Sequence, residues 1–234
     1  MNDASTAENA EKKSNSPLEE HSESIVNVLA ILSDGKDTMR GPSGTGFFVK
    51  NESDGLPQCQ IATSLHGIIP DSRAPLKSIE VTTADGKKHA AHFSKIDRPH
   101  DLALLTVDGI KDPVQNCKPL DLSATQPIHG DSVTRLTRDR WGDASSNAGT
   151  FDKESPRDEI ELVPLEGEDP NRNLMVFDLY NNRGVDLGGS PILDKNGTVI
   201  AIHGGGLDGH TSVAIPVEDL NALLKKKTHG AIPD

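Results

Sequence analysis

The chain has 234 residues, a formal net charge of −12, 34% hydrophobic residues, 3% aromatics and two cysteines. That length suits one all-β domain with a core built mostly of Ile, Leu, Val and Ala. The acidic balance argues against nucleic acid or an anionic membrane as partner, because phosphate contacts need clustered Lys and Arg, and no apolar run approaches the roughly 18 residues of a membrane-spanning helix.

Residues 1–23 hold almost nothing apolar and read as a disordered acidic and polar tail. They also lack the charged, apolar and small-residue regions of a signal peptide, so the expectation is a cytoplasmic protein. Ile25 to Leu32 is continuously apolar and predicts a first strand buried on both faces. Gly44 to Val49 is a second strand, reached through the turn chemistry of Gly41-Pro42-Ser43-Gly44. Ile61 to Ser64 leads into His66. Asp85-Gly86 between Ile79–Thr82 and Ala90–Phe93 predicts a hairpin. Asp101 precedes the apolar run Leu102 to Leu105. This first unit spans about residues 24–112.

A second unit, about 118–216, begins at Leu120–Leu122 and Gly130–Val133. Residues 138–158 are polar and rich in Gly and Ser, which predicts a surface loop. Ile160–Val163 and Leu174–Phe177 read as strands. Pro191–Leu193 and Val199–His203 flank an Asn196-Gly197 turn, and Val213–Pro216 is a last strand. Val217–Leu224 has the spacing of an amphipathic helix, ending near residue 226 with Lys225 and Lys226 at the negative end of its dipole. Cys59 and Cys117 are by default two buried free thiols, with a disulfide as the alternative. His89 and His92 fall on opposite faces of a strand, and nothing in the chain predicts a metal site or a cofactor.

Five segments resemble the trypsin-like serine proteases, closest to the HtrA/DegP and glutamyl-endopeptidase (V8-like) branches. Gly44-Thr45-Gly46-Phe47 resembles the G-[ST]-G-F of the first barrel. Leu65-His66-Gly67 resembles the segment of the general base, and Asp101-Leu102-Ala103-Leu104-Leu105 that of the orienting aspartate. Gly188-Gly189-Ser190-Pro191 resembles the nucleophile loop, and Val213-Ala214-Ile215-Pro216 the F-A-I-P near the end of the domain. The resemblance covers about residues 25–226. It implies an all-β fold of two six-stranded barrels with a short C-terminal helix, and a triad in the order His, Asp, Ser.

One member of that triad is missing. Counted back from the Asn196-Gly197 turn, the serine's place falls on Gly188. A glycine has no side-chain nucleophile. The resemblance also puts oxyanion donors at Gly188 and two residues earlier, where the family has glycine and this chain has Asp186; Gly189 completes the loop. A carboxylate there opposes a developing oxyanion. Ser190 is the alternative nucleophile, although Pro191 follows where the loop wants glycine.

His203 sits where V8-like proteases place a histidine that binds a glutamate side chain, with Thr211 as a neighbour; a structural histidine is the competing reading. Gly204 and Gly205 resemble the strand edge that pairs with a bound peptide. The expectation is a pseudoprotease that binds a peptide or protein segment. The alternative is a serine endopeptidase whose serine was replaced, or one that uses Ser190.

Overall fold

A period of two sorts the apolar residues of each strand onto two faces, one filling a barrel and the other a seam between barrels. The computed structural model describes residues 16–51, 58–69, 75–110, 117–162, 165–179 and 188–226. Strands β1 (Ile25–Ser33), β2 (Thr38–Asn51), β3 (Gln58–Ser64), β4 (Leu76–Thr82), β5 (Lys88–Asp97) and β6 (Leu102–Val107) close one antiparallel barrel in the order β1-β2-β3-β6-β5-β4. Strands β7 (Ser132–Arg138), β8 (Ala144–Pro156), β9 (Asn173–Leu179), β10 (Pro191–Leu193), β11 (Val199–Gly206) and β12 (Thr211–Pro216) close a second, in the order β10-β11-β12-β9-β8-β7. Closure removes the exposed edges that an open sheet would present.

In β1, Val26, Val28, Ala30 and Leu32 fill the first barrel, while Ile25 faces the seam. In β6, Ala103, Leu105 and Val107 point inward, and Leu102 and Leu104 point to the seam. The second barrel is filled by residues such as Val133, Met175, Ile192 and the edge-on pair Phe151–Phe177. Leu136, Leu193, Ile202 and Ile215 meet the first barrel's residues at the seam. Each large side chain so buried contributes about 1.5–3 kcal/mol.

Polar groups stitch the same seam. The Arg138 guanidinium donates to the carbonyls of Ile25 (3.0 Å), Ser22 (2.7 Å) and Gly142 (2.5 Å). The Thr45 hydroxyl accepts from the Arg138 N–H at 3.0 Å, and Asn27 Nδ2 donates to the Arg138 carbonyl at 3.4 Å. Helix α2 (Val217–Lys225) lays Val217, Leu220, Leu223 and Leu224 on the seam. Buried Lys95 of β5 caps it, donating to the carbonyls of Leu223, Leu224 and Lys226. The last carbonyls of a helix lack the usual partners four residues on, the Leu223 carbonyl accepting only the Lys226 N–H, and a cation suits that end of the dipole.

Four expectations are corrected. Residues 144–156 are strand β8, not a surface loop: β8 pairs with β7 and β9 along its length, and its polarity reflects one face turned to solvent. Gly149 lies there because a Cβ would stand 2.1 Å from the Asp178 carbonyl oxygen. Residues 160–162 form no strand; they follow a 3-10 turn at Arg157–Glu159, the Ile160 and Leu162 carbonyls accept from the Arg157 guanidinium, and Val163 lies outside the described residues. Within the expected tail, Ser16 and Glu19 make a capping box for a short helix, α1 (Pro17–His21), and Leu18 packs on the core. Residues 1–15 lie outside the described residues. Finally, Cys59 and Cys117 form a disulfide, because Leu120 N–H bonds to the Phe48 carbonyl and lays the segment of Cys117 beside β2 and β3. Among the described residues no helix is long and apolar enough to cross a membrane.

Candidate functional site

His66 stands in the turn directly after β3, held by N–H bonds from Ile68 and Ile69 back to the Leu65 carbonyl and by burial of Ile68. Asp101 stands directly before β6, which pairs with β3. Its φ of 57° is the only positive value at a non-glycine among the described residues, in the left-handed region that Asp tolerates better than most. That conformation aims both carboxylate oxygens at one neighbour. Oδ1 accepts the His66 backbone N–H at 2.9 Å, and Oδ2 lies 2.6 Å from His66 Nδ1. The Asp101 carbonyl also accepts the Leu65 N–H. A carboxylate at Nδ1 keeps the hydrogen there, so Nε2 presents a lone pair.

That lone pair faces the second barrel. The Asp194–Thr198 turn fixes the β10–β11 hairpin, with Asp194 Oδ1 accepting from Asn196 N, Thr198 N and Thr198 Oγ1. The three residues before β10 are thereby held. The Gly188 carbonyl accepts the Thr45 N–H at 3.0 Å, and the Gly189 N–H donates to the His203 carbonyl at 2.8 Å. Gly189 has φ 83°, and a Cβ on it would stand 2.2 Å from Thr63 Oγ1. At Gly188 a Cβ would stand 2.9 Å from His66 Nε2. The structure thus brings His66, Asp101 and Gly188 together. Ser190 is fully buried, and Asp186 lies outside the described residues.

His203 is also fully buried, with its Nε2 2.9 Å from Nη1 of Arg135. A guanidinium only donates, so Nε2 accepts and the ring hydrogen of a neutral His203 sits on Nδ1. Arg135 was not legible as a site residue; its one signal is a cation at an inward position of the Val133–Thr137 alternation. Thr211 is not brought to His203. The register pairs His203 with Ala214, and the Thr211 hydroxyl donates to Asp208.

Gly204 and Gly205 do reach the cleft beside His66. Its volume is about 230 Å³, and Leu162, Leu165 and Leu174 make its apolar wall. Beside them, also lining the cleft, Glu168 accepts from Arg157 Nε at 2.7 Å and from Arg172 Nη2 at 2.7 Å. Burial pushes the Glu168 carboxyl up, but hydrogen bonds from Arg157, the Leu165 N–H and Arg172 outweigh it and hold it below the ordinary value. Arg172 also donates to the His100 carbonyl, which ties this wall to the turn of Asp101. Among the described residues no group of three His, Cys, Asp or Glu could hold a metal ion.

Two closed barrels with a His–Asp pair at their seam define the class of the trypsin-like double-barrel fold. A family model for the trypsin-like peptidase domain matches residues 44–202, and the chain belongs to that family. Among solved structures, the Rv3671c protease from M. tuberculosis in its active form is similar at 19% identity and a TM-score of 0.71, over 94% of this chain and 87% of that one. The same protease in an inactive form, as a serine-to-alanine mutant, is similar at 20% identity and a TM-score of 0.64, over 90% and 89%. At such identities the likeness speaks for the fold alone. No curated protein matches the sequence.

Proposed function

We propose that this chain is a trypsin-fold pseudoprotease, without turnover of its own, that holds a peptide or protein segment in its cleft. The observation that carries the reading is the glycine facing the base. A Cβ at residue 188 would stand 2.9 Å from His66 Nε2, so this is the residue from which a nucleophile would meet the lone pair. Acyl transfer needs a hydroxyl to attack the carbonyl while the histidine takes its proton. His66 has the partner that orients it and nothing at 188 to deprotonate. Asp186, two residues earlier, brings a carboxylate where the resemblance implies an oxyanion donor.

Binding needs none of that chemistry. Past Ile202, β11 has left β10 and continues through Gly204 and Gly205, with Gly205 facing Val213 of β12. An extended peptide can add its backbone along such a segment. The leucine wall then takes an apolar side chain.

The second reading is a serine endopeptidase. The intact His66–Asp101 pair favours it, and the full burial of Ser190 weighs against Ser190 as its nucleophile. Fluorophosphonate labelling with casein turnover separates the two. The pseudoprotease reading expects neither; stoichiometric labelling of Ser190 or casein cleavage abolished by His66→Ala would overturn it. Binding is read separately, by fluorescence polarisation of an extended peptide library. Retention of leucine-containing peptides, lost on Leu174→Arg, is the expected result.

A further inference from the structure

We infer that Ser64 and Gly188 are a matched pair: the Ser64 hydroxyl has taken the space a side chain at 188 would need, so the nucleophile position is closed by two residues rather than one. This deepens the pseudoprotease reading and rests on its placement of residue 188 opposite the base.

Ser64 is the last residue of β3 and is fully buried. Its Oγ has no hydrogen-bond partner among the described residues. A buried hydroxyl left in that state is costly, and alanine would avoid the cost. The hydroxyl is therefore not explained by hydrogen bonding. Its surroundings explain it by volume. A Cβ at 188 would stand 2.7 Å from Ser64 Oγ, closer than to any atom of His66.

The backbone does not demand glycine at 188, which is absent from the positive-φ glycines that include Gly189 and Gly197. Space alone demands it. His66 is fixed by its two bonds to Asp101 and cannot easily give way. Ser64 must turn instead and give up the space it now fills, which the glycine at 67 also leaves open to it, since a Cβ there would stand 3.1 Å from the same Oγ. A side chain at 188 and a hydroxyl at 64 compete for one volume.

The test is a double-mutant cycle on the full chain, with Gly188→Ala, Ser64→Ala and the double variant, read by thermal unfolding. Gly188→Ala alone should lower the midpoint by roughly 5 °C, the scale of overpacking a tight core in a domain this size. In the Ser64→Ala background the same change should cost no more than about half of that, the remainder being the 2.9 Å approach to His66 Nε2. Equal drops in both backgrounds would overturn the pairing, and the cycle decides this whether or not any variant is an enzyme. Should Gly188→Ala fail to fold, recovery of folded protein in Gly188→Ala/Ser64→Ala supports the pair, and failure of both overturns it. A second readout uses Gly188→Ser: its labelling by fluorophosphonate at residue 188 should be at least about tenfold faster with Ser64→Ala. Labelling of the unmodified chain at Ser64 would overturn the inference, because a reactive hydroxyl there is not a space-filler.

Discussion

Asp101 holds His66 twice, by the backbone N–H and by the ring, with a left-handed backbone that brings both carboxylate oxygens to bear. Replacing it tests both roles. Asp101→Ala removes two acceptors and leaves a β-carbon in the left-handed region, so stability should fall by about 2–4 kcal/mol in urea unfolding. Asp101→Asn, which tolerates that backbone and keeps one acceptor, should cost less. Nitrogen-15 spectra of the His66 ring should show the Nδ1–H tautomer in the unmodified chain and a mixture in Asp101→Ala.

Gly188→Ser tests whether the cleft lacks one atom group or more. A single missing oxyanion donor typically costs about 100- to 1000-fold in turnover. With Asp186 in the loop and Ser64 in the way, the single change should give little or no casein cleavage. Strong cleavage, lost again with His66→Ala, would move the assignment to a disabled serine endopeptidase.

Acid should loosen the leucine wall. Burial raises the Glu168 and Asp97 carboxyls, but the hydrogen bonds of Arg157 and Arg172 to one, and of Lys226 and His100 to the other, leave both lowered. A lowered folded-state value means stability that is present above the unfolded value, near pH 4, and lost as pH falls through the folded one. Asp219 works in the opposite sense: burial raises it, so its protonation on acidification offsets part of the loss. Denaturant midpoints should therefore decline below about pH 4, and Glu168→Gln should flatten part of that decline.

The disulfide spans a separation of 58 residues. Chain-entropy reasoning puts its contribution at about 4 kcal/mol as an upper figure. Reduction, or Cys59→Ala with Cys117→Ala, should lower the unfolding midpoint by several degrees without changing the barrels' circular dichroism at 25 °C.

Strand alternation and turn chemistry made most of the first barrel readable. Ile25–Leu32 and the Asp85-Gly86 hairpin depend on local rules, and the structure follows them. β8 was not readable, because its residues are held by two neighbouring strands rather than by their own apolar content. The order of His66, Asp101 and Gly188 was visible from motifs. Ser64 and Arg135 were not, since their meaning comes from what lies opposite them across the fold and not from their neighbours in the chain.

Thr45 binds Gly188 by its N–H and Arg138 by its hydroxyl, so one residue of β2 clasps both the β10 approach and the end of β7. The barrels therefore cannot slide apart while leaving the cleft assembled, nor can the cleft come undone while the barrels stay in register. Cooperativity is built into the site itself: exchange of the amides around His66 and Gly188 should report global unfolding, not a local opening.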